Sequence, residues 1–331
     1  MKLFAAGVAA SPTEIFGRRH RFRWYEALPW LVALGCYFGF SDYLALGAQI
    51  LSTIIFALSV DLVLGYGGIV TLGQAALFGT GAYTAGLLAA HGFGAPGPGL
   101  VVAAAAAALV GAVSGVFVLR TRGLTQLMTT LMVAIMLYTA ANKASSVTGG
   151  ADGLQNMQVQ PVLGVFHFDL FGRTAYLYSL AVLFLCWLIM RTIVHSPFGR
   201  SLTGIRENEA RMNAIGSPVF RRRLVAYVVS AAMAGVAGAL YAQTTGFVAP
   251  DSLSFERSGN ILIMLLLGGV GRLYGAFIGV PLFMIAQDRF SAYDPTYWYF
   301  WIGLLLVLMV MFARGGVLGI VERLVARARR R

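Results

Sequence analysis

Runs of about 20 apolar residues recur along this chain, and its charged residues are confined almost entirely to the segments between them. A helix needs about 20 residues, sometimes 17, to cross the hydrocarbon core of a bilayer. Windows of that size lie at 45–64, 72–90, 100–119, 124–141, 174–190 and 224–241. Segments 27–40 and 297–312 are shorter, but the aromatic residues at their ends (Trp24, Tyr25, Trp30, Tyr297, Trp298 and Trp301) suit anchors at the membrane interface. Composition agrees: 58% of the 331 residues are apolar or aromatic and 11% are charged, against about 25% charged in a soluble domain. The chain therefore reads as one all-α polytopic membrane domain, which excludes a soluble enzyme, a disordered tail protein and a secreted disulfide scaffold. Cys36 and Cys186 both fall inside apolar runs, where a buried thiol is the ordinary role, so neither a disulfide nor a zinc site is expected.

Segment 261–287 is long enough for one span, or for two short ones broken at Gly268, Gly269, Gly271 and Arg272. The basic residues decide between them, because cytoplasmic loops concentrate Lys and Arg. Two spans give about ten transmembrane helices with both termini on one side. That side then holds residues 1–26, 65–71, 120–123, 191–223, 268–272 and 313–331 with 21 of the 25 Lys and Arg, leaving Lys143, Arg173, Arg257 and Arg289 opposite. One long span would carry the C-terminal arginines across the membrane and bury Arg272 at mid-bilayer, at a cost of several kcal/mol. The expected plan is a cytoplasmic tail over 1–26, a membrane domain over 27–312 with a cytoplasmic loop at 191–223, and a basic cytoplasmic tail over 313–331. Asp42, Asp152, Asp169, Asp251, Glu256, Asp288 and Asp294 fall on the other side. A net charge of +12 would suggest nucleic acid in a soluble chain; here it marks topology, and no nucleic-acid partner is expected. The short apolar run at 3–10 behind Lys2 echoes a signal peptide, but the arginine-rich stretch after it marks a cytoplasmic tail.

Glycine accounts for 40 residues, many at helical spacing, as in Gly111 and Gly115, Ala234 and Gly238, or Gly275 and Gly279. Such pairs let helix backbones approach closely in lipid. Two stretches go further by interrupting apolar segments with flexible backbone: Gly65, Tyr66, Gly67 and Gly68 with Gly73, and Gly268, Gly269 and Gly271 with Gly275. Broken helices persist at membrane depth where they are buried in protein or line a cavity, and breaks in both halves of a chain point to a translocation path. Asp61, one turn before Gly65, is the one acid within the six long windows. Either it serves that path, or it reaches the interface or caps a neighbouring helix. No second acid, histidine or lysine joins it in the spans, which argues against a proton relay. His20, His91, His167 and His195 share no ligand spacing, so no metal is expected. With Asp61, Gln74 and Gln126 as the main polar groups in the spans, no nucleophile with a base and no carboxylate pair is available for catalysis.

The longest cytoplasmic connection is 191–223. Its core, 199–216, reads as a short helix with apolar Ile205, Met212 and Ile215, ended by Gly216 and Pro218. It is either an amphipathic helix lying on membrane lipid or a docking helix for a cytoplasmic partner. Glu207 and Glu209, which repel anionic headgroups, favour docking.

Four ordered motifs carry a resemblance. The run opening Gly65-Tyr66-Gly67-Gly68-Ile69-Val70-Thr71-Leu72-Gly73-Gln74 and reaching Tyr83 resembles the signature of the branched-chain amino acid ABC transporter permeases. Thr148-Gly149-Gly150-Ala151-Asp152-Gly153-Leu154, then Arg206-Glu207-Asn208-Glu209 with Gly216, then Gly268-Gly269-Val270-Gly271 with Gly275, recur in the same order in that family. The similarity covers roughly residues 45–320, and the order and length are closest to the M-type of its two paired permeases. It implies the ABC importer permease fold and a transport subunit, not an enzyme, in the bacterial inner membrane. Such a subunit pairs with a second homologous permease, docks two cytoplasmic ATP-binding subunits, and receives solute from a periplasmic binding protein. No cofactor is implied. The sequence agrees independently, since it contains no Gly-x-x-x-x-Gly-Lys-Ser/Thr phosphate loop.

By that resemblance Arg206, Glu207, Asn208, Glu209, Ala214 and Gly216 couple to the ATPase, and Thr148, Gly149, Gly150, Asp152 and Gly153 face the binding protein. Candidates for the translocation path are Asp61, Gly65, Tyr66, Gly67, Gly68, Gln74, Gly268, Gly269 and Gly271. The chain departs from many relatives at Gln74, where they carry histidine, and at Asp61, where they carry asparagine. The expected cargo is a branched-chain amino acid moved inward by alternating access. Permeases for urea, short amides or aromatic acids share the fold, and a stand-alone channel or ion-coupled carrier is the rival of another class.

Overall fold

A computed structural model describes residues 27–39, 43–155, 157, 159–161, 172–295, 297, 300–304, 307, 311 and 316–319. The tail at 1–26 with Trp24, Tyr25 and His20 lies outside these residues, as do Trp298, Asp42, His167, Asp169 and most of 313–331. The described chain is helical, and its one isolated β-bridge joins Leu154 to Val248.

The main helices are α1 (Leu28–Gly39), α2 (Leu44–Asp61), α3 (Gln74–Ala90), α4 (Pro96–Val118) and α5 (Leu124–Lys143). They continue with α6 (Ser145–Thr148), α7 (Arg173–His195), α8 (Pro197–Glu207), α9 (Glu209–Ala214), α10 (Val219–Thr245), α11 (Phe255–Gly268) and α12 (Gly275–Tyr293). α2 runs on through a π-helical turn, Leu62–Tyr66. Among the described residues five helices are long and apolar enough to cross a membrane: α2 with its π turn, α4, α5, α7 and α10. The window expected at 72–90 appears as α3, 17 residues long. The ambiguous stretch at 261–287 divides into α11 and α12, with the break over 269–274. Gly269 and Gly271 take positive φ there, +115° and +75°, a conformation that side chains with a Cβ resist.

α10 is the central helix. It packs along α4, α3 and α2, and α10 and α2 are mostly buried whereas few residues of α5 are buried. Small residues make the close crossings possible, as the spacing predicts. A Cβ on Gly235 would lie 2.5 Å from the Ala107 Cβ, one on Gly115 would lie 2.9 Å from Tyr227, and one on Gly279 would lie 2.6 Å from the backbone of Gly268. In lipid, where apolar surface gains little by leaving hydrocarbon, such van der Waals contact drives helix association.

The connections gather at two ends. At one end, the loop end, meet the π turn, 67–73, the turn at 120–123, α8 and α9, and the break at 269–274. At the far end, Leu154 and Val248 exchange backbone hydrogen bonds of 2.8 and 3.2 Å, Gln160 N–H donates to Gly94 O (3.0 Å), and Gln243 donates to Pro96 O (3.1 Å).

Two helices begin inside the bundle rather than at either end. Gln74, the first residue of α3, donates through its amide to the Ser230 hydroxyl, and Ser230 lies near the middle of the 27-residue α10. Ser230 donates in turn to Ser59 O, 2.6 Å away. The Ala75 N–H donates to the Ser258 hydroxyl in the first turn of α11 (3.0 Å). The segments 67–73 and 246–254 therefore enter the bundle from opposite ends, and the helices they lead into meet at their N-termini. Irregular backbone at this depth is tolerated because it is buried in protein: Ile69, Thr71, Ser252 and Leu253 are all buried.

Candidate functional site at the loop end

The two glycine-rich interruptions, remote in sequence, meet at the loop end, and a side chain of the basic loop lies against both. As α2 widens into its π turn, Gly67 N–H donates to Leu62 O and Ile69 N–H to Val63 O. The Gly65 carbonyl is thereby left without a helical donor. Arg206, near the end of α8, supplies one: its guanidinium Nη1 donates to Gly65 O. The same Nη1 would lie 3.2 Å from a Cβ placed on Gly271. π turns are frequent at functional sites because they re-aim backbone groups in this way.

Asp61 closes the other side. It is fully buried, and its Oδ1 accepts the Gly271 N–H at 2.7 Å. The Arg206 guanidinium lies within electrostatic reach of the same carboxylate. Of the roles open to Asp61 in the sequence, holding a neighbouring element is the one visible here, since it fixes the turn between α11 and α12. Gly65 is required by the close approach: a Cβ on it would meet the Asp61 carboxylate and come within 2.6 Å of the Gly271 nitrogen. Gly68, at φ +66°, faces the Arg206 stem, with its notional Cβ 2.6 Å from Arg206 Cγ.

The basic loop differs from the sequence reading in one respect. A single helix was expected over 199–216; the chain forms α8 and α9, broken at Asn208, which is extended at φ −155° and ψ 98°. The Asn208 side chain accepts the Arg211 N–H at 2.9 Å, so it acts as an N-cap and competes with continuation of α8. The break separates the expected apolar face. Ile205 is buried, Met212 is half-buried, and Ile215 is 71% exposed. Glu207, Asn208, Arg211, Asn213, Ala214 and Gly216 are exposed with it.

Glu209 does not stand free on that surface. It pairs with Arg122 at 2.9 Å and with Arg223 at 3.1 Å, which ties α9 to the 120–123 turn and to the start of α10. Arg122 and Arg223 escaped the sequence reading as site residues, although both sit in short basic clusters that would have flagged them as acid partners. Ser59, Ser230 and Ser258, which hold the starts of α3 and α11, also went unread. Small hydroxyls in an apolar run give little signal until their partners are known.

The other candidates fall elsewhere. Tyr66 is half-buried, whereas Gly67, Gly268 and Gly269 are buried. Gln74 is buried at the centre with its Oε1 without a partner among the described residues. Thr148, Gly149, Gly150, Asp152 and Gly153 form a compact turn at the far end, with positive φ at the three glycines. Beside it opens a cavity of about 560 Å³ between α5 and the start of α11, lined by Tyr138, Asn142, Ala151, Asp251 and Glu256 among others. Among the described residues no cluster of His, Cys, Asp and Glu is able to hold a metal ion.

The sequence profile of a family described as "branched-chain amino acid transport system / permease component" matches residues 43–310. Over 292 residues the chain is 29% identical to the high-affinity branched-chain amino acid transport system permease protein LivM of Salmonella typhimurium, an alignment covering 80% of this chain and 67% of that one. Against LivM of Escherichia coli the identity is 28% with the same coverage. The E. coli permease protein LivH is 31% identical over 140 residues, 42% of this chain and 45% of its own. No solved structure matches.

Proposed function

Since the chain belongs to the branched-chain amino acid ABC permease family, whose members are multi-pass membrane transport subunits, we propose that it is the M-type permease of a bacterial inner-membrane importer for branched-chain amino acids. It works beside a second, LivH-like permease; similarity to both LivM and LivH supports such a pair. ATP hydrolysis resides on two cytoplasmic subunits that dock on α8 and α9, and a periplasmic protein delivers the solute at the far end. The membrane domain spans 27–312 in ten crossings, with the loop end and both tails (1–26 and 313–331) in the cytoplasm. The gathering of the basic connections at one end fits that topology.

The observation that carries the mechanism is the Arg206 contact with Gly65 beside Gly271. A partner pushing on the exposed surface around Ala214, Ile215 and Gly216 moves α8 and α9 as a unit braced by Glu209. Arg206 transmits the displacement to the π turn of α2 and the break between α11 and α12. Both breaks lead directly into helices, α3 through 67–73 and α12 at Gly275, so the motion changes how those helices line the path. Alternating access then follows from two packings of broken helices whose balance the partners shift.

The test is reconstitution. The chain, a second permease and two ATP-binding subunits co-purify, and in liposomes with loaded binding protein they import leucine only when ATP is supplied. Leucine flux through the lone chain, without partners or ATP, defeats the proposal and favours a channel or carrier.

A further inference from the structure

Arg257, counted from the sequence among the few basic residues on the far side, does not stand in an exposed loop. It is the third residue of α11, and its guanidinium packs against two neighbouring rings, 4.6 Å from the Phe78 centroid and 4.5 Å from the Tyr241 centroid. Tyr241 is four residues before the end of α10, about 6 Å inside it, and Phe78 is in the second turn of α3. The charge therefore lies within the bundle, where the chain re-enters from the far end.

Three features make this position expensive for a purely structural cation. First, among the described residues no carboxylate pairs with the guanidinium and no hydrogen bond reaches it; only the backbone N–H of Arg257 is engaged, with the Ser254 cap at 3.2 Å. The nearby acids Asp251 and Glu256 line the cavity beside α5 instead. Second, the first turn of a helix is the positive end of its dipole and disfavours a cation. Third, the N-terminus of α3 is joined to the same turn through Ala75 and Ser258, so a second positive end faces the same region. Aromatic faces hold the charge in place without using its five N–H donors, and Arg257 remains partly exposed. An ionisable side chain at membrane depth is a site in search of its partner, and here the guanidinium and the two helix N-termini attract an anion.

We propose that Arg257, packed against Phe78 and Tyr241 at the meeting N-termini of α3 and α11, receives the carboxylate of the solute in the half of the path nearest the binding protein. The inference rests on the importer reading and adds the chemical group recognised: a planar carboxylate matches the guanidinium fork bidentately.

The whole importer is reconstituted with its binding protein, and uptake of radiolabelled L-leucine is measured for wild type, Arg257→Gln and Arg257→Lys, alongside ATP hydrolysis and melting temperature. Arg257→Gln is expected to lower uptake about tenfold or more with abundance, melting temperature and ATP hydrolysis near wild type. Arg257→Lys keeps the charge but not the fork and is expected to transport at an intermediate rate with wild-type stability. Wild-type uptake by a folded Arg257→Gln protein overturns the assignment. If that variant fails to fold, Arg257→Lys decides: reduced uptake at unchanged melting temperature supports the site, whereas unchanged uptake, or a loss matched by a fall in melting temperature, overturns it. Failure of the wild-type complex to import leucine defeats the importer reading itself, a result distinguishable from either.

Discussion

Asp61 and Gly271, separated by 210 positions, are joined by one buried hydrogen bond of 2.7 Å from the glycine N–H to the carboxylate. It fastens the end of α2 to the break between α11 and α12, so the two interruptions of the bundle are tied to each other. Arg206 is the third member, and through it they are attached to the basic loop.

Asp61→Asn keeps an oxygen that accepts the Gly271 N–H but removes the charge facing Arg206. The protein is expected to insert at normal abundance, with lowered uptake in the reconstituted importer. Asp61→Leu, in contrast, strands a buried N–H and costs about 1–3 kcal/mol of stability, visible as a lower melting temperature. Unchanged uptake by Asp61→Asn removes the charge from the mechanism and leaves only the hydrogen bond.

Gly271→Ala forces a Cβ onto backbone at φ +75°, which costs roughly 1–2 kcal/mol, and presses it toward the Arg206 guanidinium. Gly246, also at positive φ (+65°) but with nothing within 4 Å of a Cβ, carries the backbone cost without the contact. Both alanine variants are expected to lose similar stability, and only Gly271→Ala to lose transport disproportionately. Equal transport in the two variants, measured at matched abundance, counts against a role for the Gly271 contact.

Glu209→Lys sets a third cation against Arg122 and Arg223. The Arg122 pair is half exposed and contributes at most about 1 kcal/mol, whereas the Arg223 pair is mostly buried, so a lower melting temperature is expected together with the loss of the α9 brace. ATP hydrolysis continues and uptake falls. Combining Glu209→Lys with Arg223→Glu restores a pair of opposite sign, and partial recovery of uptake is expected. The absence of any recovery places the defect in the docking surface rather than in the brace.

Asn208→Ala removes the cap on Arg211, at a cost of about 1 kcal/mol, and lets α8 and α9 approach one continuous helix. Greater helicity of the loop, followed by hydrogen exchange at 208–212, is expected together with weaker coupling of ATP hydrolysis to uptake. Unaltered exchange there means that the break does not depend on the cap.

The spans were legible because lipid imposes length and apolarity on them: α2, α4, α5, α7 and α10 fall within a few residues of the windows read from hydropathy. The break at 269–274 was legible from glycine and from the position of Arg272. Its partner was not, because nothing local in Gly65 specifies Gly271 or Arg206. The surroundings of Arg257 were not legible for a related reason: charge normally marks a loop, but here the chain re-enters the bundle before α11 begins, so a charge between apolar runs sits among aromatic rings. The Asn208 break had a local signal, an asparagine followed at once by an acid and later by apolar residues, which is an N-terminus signature. The apolar spacing of Ile205, Met212 and Ile215 masked it by suggesting one continuous face.

The most direct test of the central claim is the ratio of leucine imported to ATP hydrolysed in proteoliposomes carrying the complete importer, compared between wild type and Arg206→Gln. Loss of a charge-assisted hydrogen bond, worth at least about 1.5 kcal/mol, predicts a ratio lower by about tenfold or more with ATP hydrolysis retained. An unchanged ratio in a folded, ATP-hydrolysing complex contradicts the account, because the loop then drives the broken helices without the arginine that joins them.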